Sequence, residues 1–138
     1  MVREIVKDEK LLSEKSTYIN PKDAKQLVTD LLDTAEAHGE NCAGLAANQI
    51  GELKRVFVAK IGGKFQAFLN PRIIQKSKMV LELEEGCLSL EGVRKVKRHY
   101  SIMLLSTTIN GKVSKHVFNG FEAQVIQHEM QHLEGELI

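Results

Sequence analysis

His128 and His132 stand four positions apart in the segment His128-Glu129-Met130-Gln131-His132, which follows the pattern H-E-x-x-H. Because an α-helix advances 3.6 residues per turn, two histidines at this spacing project from one face and can bind one metal ion. Glu129 lies about 100° further around such a helix, badly placed as a ligand but within reach of a water that the metal activates. The pattern therefore predicts metal-assisted hydrolysis with Glu129 as the general base.

An H-E-x-x-H pattern also arises by chance in solvated helices, so the metal interpretation needs a third ligand from outside this helix. A catalytic zinc-type site commonly takes three protein ligands and leaves a fourth position for water. The best candidate is Cys87, which follows Gly86 in the segment 84–89, since a thiolate binds such metals strongly and glycine allows close backbone approach. A single cysteine is also commonly a small buried hydrophobe. Taken alone, Cys87 leaves both interpretations open.

Two helical segments and a run of strands must position these residues. The first helix is predicted to have Asn20 as its N-cap and Pro21 at its first position, and to end at Gly39. The second, over 121–134, carries the H-E-x-x-H pattern and has Asn119 as a candidate cap. It is apolar on most sides, which predicts a central, covered helix.

Between the helices, segments of β-strand character are predicted at 55–61, 64–69, 72–83 and 99–109. The pair Gly62-Gly63 predicts one turn, and Asn110-Gly111 predicts a tight hairpin turn. A helix, several strands and then a helix predict an α+β fold. We expect short antiparallel β-sheets packed around a central C-terminal helix, with the first helix as an N-terminal amphipathic element.

Composition narrows the class of protein. With 19 lysines and arginines against 18 aspartates and glutamates, no large field of one sign is expected to attract nucleic acid or anionic lipid. The N-terminus lacks the apolar run of a signal peptide or membrane span, so we expect a cytoplasmic protein without membrane contact. No linker or repeat divides the chain, which predicts a single catalytic domain over 1–138. Two cysteines are too few for a disulfide scaffold.

Three segments in order, 44–49 (Gly-Leu-Ala-Ala-Asn-Gln), 85–89 (Glu-Gly-Cys-Leu-Ser) and 127–133 (Gln-His-Glu-Met-Gln-His-Leu), resemble the signature motifs of bacterial peptide deformylases. The similarity is traceable from Val2 to Gly135. It implies that Cys87, His128 and His132 are the metal ligands, and that Glu129 takes and returns the proton. It also implies one divalent metal ion, Fe(II) in the cell, with Zn(II), Ni(II) or Co(II) as alternatives that this ligand set accepts.

The resemblance also implies roles for residues that bind the substrate. The Gln49 side-chain amide and the Leu88 backbone N–H would form an oxyanion hole for the formyl oxygen. Gly44 would pair with the extended peptide, where a side chain would crowd it. Glu85 and Ser89 would be supports rather than reacting groups. The pocket for the methionine side chain would be lined by Ala43, Leu83, Gln124 and Val125.

The activity implied is removal of the formyl group from the N-terminal formylmethionine of newly made polypeptides, with release of formate and transient proximity to ribosomes. Two positions depart from the family pattern. Cys42 replaces a glycine, and it either packs or forms a redox-sensitive thiol beside Cys87. Gln131 replaces an aspartate, which changes a hydrogen bond near the ligands.

Two other functions fit parts of the sequence. A catalytically impaired, metal-stabilised deformylase-like binding protein would explain Cys42 and Gln131. A metalloprotease would use the H-E-x-x-H pattern to cut internal peptide bonds, although such proteases usually take their third ligand from histidine or glutamate rather than from a residue like Cys87.

Overall fold

The computed structural model describes residues 1–138 and contains three α-helices and seven β-strands. The helices are α1 (Glu9–Leu12), α2 (Lys25–Ala37) and α3 (Gly120–Leu133). The strands are β1 (Gly44–Ala46), β2 (Val56–Ile61), β3 (Lys64–Lys76), β4 (Val80–Gly86), β5 (Val93–His99), β6 (Ser101–Thr107) and β7 (Val113–Asn119). None of the helices combines the length and the hydropathy of a membrane span.

The strands form two antiparallel sheets, as predicted. Five strands pair in the order β1-β2-β3-β6-β7, and β4 pairs only with β5 in a separate hairpin. The short edge strand β1 has a neighbour only on the β2 side. The sheet therefore leaves one edge of β1 open, immediately before the turn that carries Gln49.

Strand β2 is buried on both of its faces, which explains why the sheet separates two helices. Val56 and Val58 belong to the apolar cluster that contains the buried residues of α2. Phe57 and Ala59 point the other way, into the cluster that contains the buried apolar residues of α3. Since side chains alternate along a strand, one apolar run supplies both layers of the core.

Helix α3 lies between the five-stranded sheet and the β4–β5 hairpin, because it packs against β1 and β2 on one side and β5 on another. The Gln127 side chain joins α3 to the β4–β5 hairpin through two hydrogen bonds. Its side-chain oxygen accepts from the His99 backbone N–H at 2.9 Å, and its Nε2 donates to the His99 carbonyl at 2.8 Å. These two bonds join α3 to the end of β5.

The first predicted helix begins later than expected. Asn20 caps a short 3-10 turn, Pro21–Asp23, by accepting from the Lys22 backbone N–H at 3.1 Å, and α2 starts only at Lys25. At the other end of the helix, α2 stops before Gly39, which has a positive φ of 57°. Asn119 precedes α3 as predicted but makes no side-chain capping bond.

The single strand predicted over 72–83 was wrong, because residues 77–79 interrupt it with a bend at Lys78. Strand β3 ends at Lys76 and β4 begins at Val80. The Ser77 hydroxyl donates to the Met79 carbonyl at 3.0 Å, which stabilises the bend between the two strands.

The sequence analysis missed β5 and misjudged the last hairpin. β5 is rich in charged residues and mostly exposed, so it lacks the apolar alternation by which strands are recognised. The loop at Asn110-Gly111 is wider than a two-residue turn, since the Thr108 backbone N–H donates to the Lys112 carbonyl at 2.8 Å.

Candidate active site

The structure brings Cys87, His128 and His132 together. The two histidines project from α3, and Cys87 directly follows β4. His128 Nε2 lies 3.1 Å from His132 Nε2, and Cys87 Sγ lies 3.4 Å from His132 Nε2. All three donor atoms lie within 4.8 Å of one another. Ligand bonds of about 2.0–2.3 Å place donors roughly 3–4 Å apart, so the three side chains fit a single metal ion.

Glu85 orients the first histidine. His128 Nδ1 lies 2.7 Å from Glu85 Oε1, so the proton of the imidazole sits on Nδ1 and Nε2 faces the other donors. Arg98 holds the same carboxylate through two bonds, from Nε at 2.9 Å and from Nη2 at 2.7 Å. This arrangement matches the supporting role expected for Glu85.

The sequence analysis did not identify Arg98 as part of the site. It is one of several basic residues in 94–98, and only its burial distinguishes it. Its position depends on the β4–β5 register, in which Arg98 lies opposite Leu81. The acidic residues at 82–85 and the basic residues at 94–98 were the signal that could have suggested a paired hairpin.

These contacts set the protonation of the site before a metal binds. Burial disfavours the charged form of Glu85, but hydrogen bonds from His128 and Arg98 prevail and lower its pKa to about 2. Burial also lowers the pKa of His128, but its hydrogen bonds to Cys87 and Glu85 raise it to about 10. For His132, burial and the charge of His128 lower the pKa to about 3. A metal ion bound there would displace a proton from the donors that it binds.

Glu129 is a buried carboxyl beside the ligands, with only 3% of its surface exposed. Burial raises its pKa to about 7, and its Oε1 has no hydrogen-bond partner in the protein. A carboxyl with a pKa near neutrality can both accept and return a proton at cellular pH. The position of Glu129 therefore suits acid and base chemistry.

A cavity of about 410 Å³ opens onto these residues. Its walls include Cys87, His128 and Glu129. Most of the residues predicted to bind substrate also line it, namely Ala43, Gly44, Gln49, Leu88, Gln124 and Val125. Leu83 does not line the cavity. It lies on the same face of β4 as Glu85, two residues earlier in the strand and so further from Cys87. Four lining residues were not foreseen, namely Glu40, Asn41, Glu84 and the exposed Phe121.

Gln49 is held with its amide nitrogen toward the thiol. Its Oε1 accepts from the Ala46 backbone N–H at 2.9 Å, which leaves Nε2 to face the site. Nε2 donates to Cys87 Sγ at 3.4 Å and to Ser89 Oγ at 3.2 Å. Leu88, directly after Cys87, lines the same cavity.

The two departures from the family pattern lie in different surroundings. Cys42 is 3% exposed, and its Sγ donates to the Gly44 carbonyl at 3.3 Å. Burial raises the pKa of this thiol to about 12. Gln131 points away from the ligand rings. Its Nε2 donates to Glu136 Oε1 at 3.4 Å. Cys42 lines the cavity, and Gln131 does not.

Comparison with known proteins agrees with this geometry. A family model described as polypeptide deformylase matches residues 2–138. A peptide deformylase of Clostridium beijerinckii is 46% identical over 138 residues, which is the full length of both chains.

Solved structures have the same fold. The crystal structure of peptide deformylase from Thermotoga maritima has a TM-score of 0.91 at 29% identity, covering 99% of this chain and 94% of that one. The peptide deformylase structure from Ehrlichia chaffeensis has a TM-score of 0.91 at 30% identity, covering 99% and 86%. With its full-length match and its buried cysteine and histidine cluster, the chain belongs to the polypeptide deformylase family.

Proposed function

We propose that this protein removes the formyl group from the N-terminal formylmethionine of newly made polypeptides and releases formate. The observation that carries the proposal is the convergence of Cys87, His128 and His132 beside Glu129, where the cavity opens onto them. Membership of the deformylase family supports the same reaction. We place this activity in the cytoplasm, in transient proximity to ribosomes, and in a single catalytic domain.

Cys87, His128 and His132 would hold one divalent metal ion. Bound there, the ion supplies Lewis-acid chemistry, which polarises the formyl carbonyl and acidifies water. One thiolate and two imidazoles accept Fe(II), Zn(II), Ni(II) and Co(II), and we favour Fe(II) in the cell.

Glu129 would move the proton. Its carboxylate accepts a proton from the attacking water and returns it to the nitrogen of the departing peptide, so formate and a free amine leave. Because its pKa is about 7, neither transfer is strongly uphill at neutral pH. The burial of Glu129 also keeps bulk water from competing for that proton.

Gln49 and Leu88 would stabilise the negative charge that develops on the formyl oxygen. The Gln49 Nε2 is already fixed by the bond that Ala46 donates to the other end of its amide. A donor that is oriented beforehand needs no rearrangement when charge develops. The backbone N–H of Leu88 would be the second donor, next to the sulfur ligand.

The peptide would lie along β1. This strand is at the edge of the five-stranded sheet, so its outer backbone groups can pair with an extended chain. Gly44 is the first residue of that strand. The methionine side chain would enter the pocket formed by Ala43, Gln124 and Val125.

Formate release tests this function. The protein should be purified without oxygen, loaded with Fe(II), and given formyl-Met-Ala-Ser or Met-Ala-Ser. We expect formate and Met-Ala-Ser from the first peptide and no cleavage of the second. Protein stripped of metal is the control and should be inactive until Fe(II) is returned. Cleavage of an internal bond in both peptides, or metal-loaded protein that binds formyl-Met-Ala-Ser without releasing formate, would exclude the proposal.

A further inference from the structure

Asn48 is fully buried in the 3-10 turn Ala47–Ile50, directly before Gln49. Its Nδ2 donates to the backbone carbonyl of His132 at 2.9 Å, across 84 residues of sequence. Its Oδ1 has no hydrogen-bond partner in the protein. A buried amide thus contacts a metal-site histidine with one end and leaves an acceptor unused at the other.

His132 also has a buried polar atom without a hydrogen-bond partner. Its ring is also buried, and its Nε2 faces Cys87 and His128. When Nε2 serves as a ligand it carries no proton, so the proton of a neutral imidazole lies on Nδ1. Nδ1 of His132 has no hydrogen-bond partner in the protein. A buried donor and a buried acceptor, on two residues already joined by a hydrogen bond, are therefore both unpaired.

His128 has the hydrogen-bond partner at Nδ1 that His132 lacks. His128 Nδ1 is bound by Glu85, and Glu85 is held in turn by Arg98. No carboxylate is hydrogen-bonded to His132 Nδ1. Since metal-binding histidines almost always donate their second ring N–H to an acceptor, His132 requires a different one.

We propose that Asn48 is the positioning residue for His132, holding its carbonyl through Nδ2 and accepting its Nδ1 proton at Oδ1 through one bridging water. This keeps Nε2 unprotonated and directed at the other two donors. One ligand is then supported by a charged pair and the other by a neutral amide. The inference rests on the proposed metal site but does not depend on which amide the enzyme cleaves.

The test compares Asn48→Leu with Gln127→Leu in the zinc-loaded protein. Both substitutions replace a buried amide that bonds backbone groups, but Gln127 holds His99 and does not touch the ligand rings. Two quantities are measured: the rate at which zinc passes to a chelator, and the tautomer and Nδ1–H exchange of His132 by long-range proton–nitrogen NMR. We expect Asn48→Leu to release zinc about 10–100-fold faster, as for loss of a group that supports a ligand.

In the wild type, we expect His132 to be protonated on Nδ1, with that proton protected from exchange. Asn48→Leu should lose the protection, whereas Gln127→Leu should keep both the signal and the wild-type release rate while melting at a lower temperature. Asn48→Asp, which keeps an acceptor, should release zinc more slowly than Asn48→Leu. Equal release rates for the two leucine variants would overturn the proposal.

If Asn48→Leu does not fold, the NMR spectrum of the wild-type protein still tests the role of Asn48. A zinc-loaded protein in which His132 Nδ1 carries no proton, or exchanges it as fast as free imidazole, contradicts the role of Asn48. Failure of the proposed function looks different: zinc binds tightly, Asn48→Leu weakens it, and formyl peptides remain uncleaved.

Discussion

Gly44 and Glu129 come so close that a Cβ atom at residue 44 would lie 2.8 Å from Glu129 Oε2. The same atom would lie 2.8 Å from Val125 Cγ1. The backbone of Gly44 does not have a positive φ, so the lack of space, rather than the conformation, calls for glycine. The sequence analysis explained this glycine by the approach of a substrate, and contact with α3 supplies a second reason.

Gly44→Ala is therefore expected to displace Glu129 and to reduce kcat/KM on a formylated peptide by about a hundredfold, since small displacements of a reacting group have effects of that order. Gly86→Ala is the matched control, because its Cβ would meet nothing closer than 3.9 Å. Its loss of activity should be much smaller. Formate-release kinetics of the two variants measure the difference, and equal losses would show that the contact with Glu129 is unimportant.

Arg98→Ala is expected to destabilise the protein strongly. Its side chain is 5% exposed and that of Glu85 is 8% exposed, so the substitution leaves a buried carboxylate without its bidentate partner. Breaking a buried pair in this way typically costs about 3–5 kcal/mol of unfolding free energy. Arg94→Ala, at an exposed position of the same strand, should change it by less than about 0.5 kcal/mol. Urea denaturation of both variants checks this, and similar midpoints would contradict it.

Acid is expected to destabilise the metal-free protein partly through Glu85. Its pKa is about 2 in the folded protein against an ordinary value of 4.5. Between these values the unfolded chain binds more protons than the folded one, so stability is full above pH 4.5 and falls as the pH drops toward 2. Other carboxylates titrate in the same window, so the informative quantity is a difference between variants.

Glu85→Gln should therefore be less stable than the wild type at pH 6 and should lose less stability between pH 5 and pH 3. Glu84→Gln, at an exposed position of the same strand, controls for removal of one carboxylate. The measurement is the urea midpoint at each pH. A wild-type slope in Glu85→Gln would show that its hydrogen bonds to His128 and Arg98 do not stabilise the fold.

The two histidines of the proposed metal site could be anticipated because their pattern is local. A spacing of four positions puts His128 and His132 on one face of a helix, and that geometry does not depend on the rest of the fold. The antiparallel sheets and the C-terminal helix were predicted for a similar reason, from apolar runs and turns. By contrast, the single strand predicted over 72–83 was wrong, because residues 77–79 separate β3 from β4.

The supports of the ligands could not be anticipated because they come from distant segments. Arg98 reaches Glu85 only through the register of a charged hairpin, and Asn48 reaches His132 across 84 residues. No spacing rule connects such pairs. The sequence indicates which side chains can react, and tertiary packing decides which others hold them.

Cys42 is expected to be unreactive in the folded protein. It is 3% exposed and its pKa is about 12, so almost no thiolate is available near neutral pH. Iodoacetamide at pH 8 should alkylate the less buried Cys87 in metal-free protein and leave Cys42 unmodified. Added zinc should protect Cys87, and denaturant should expose both thiols. Peptide mass spectrometry measures each site, and faster modification of Cys42 would favour the redox-sensitive interpretation over simple packing.

Glu129→Gln is expected to separate metal binding from turnover. The amide has nearly the same size, so it fits beside Gly44, and the three proposed donors are unchanged. Metal content should equal that of the wild type, whereas kcat should fall by about 10²–10⁴-fold, the usual contribution of a positioned acid or base. Glu122→Gln is the control on the same helix, where the side chain accepts from the Gly62 backbone N–H instead of facing the cavity.

Metal analysis and formate release on the two variants distinguish three outcomes for Glu129. Loss of turnover with full metal content assigns it the proton. Loss of both would mean that the carboxylate helps to hold the ion, which the position of Glu129 one residue from His128 and 100° around α3 disfavours. Wild-type turnover with full metal would mean that another group accepts the proton. In that case the raised pKa of Glu129 would reflect its burial alone.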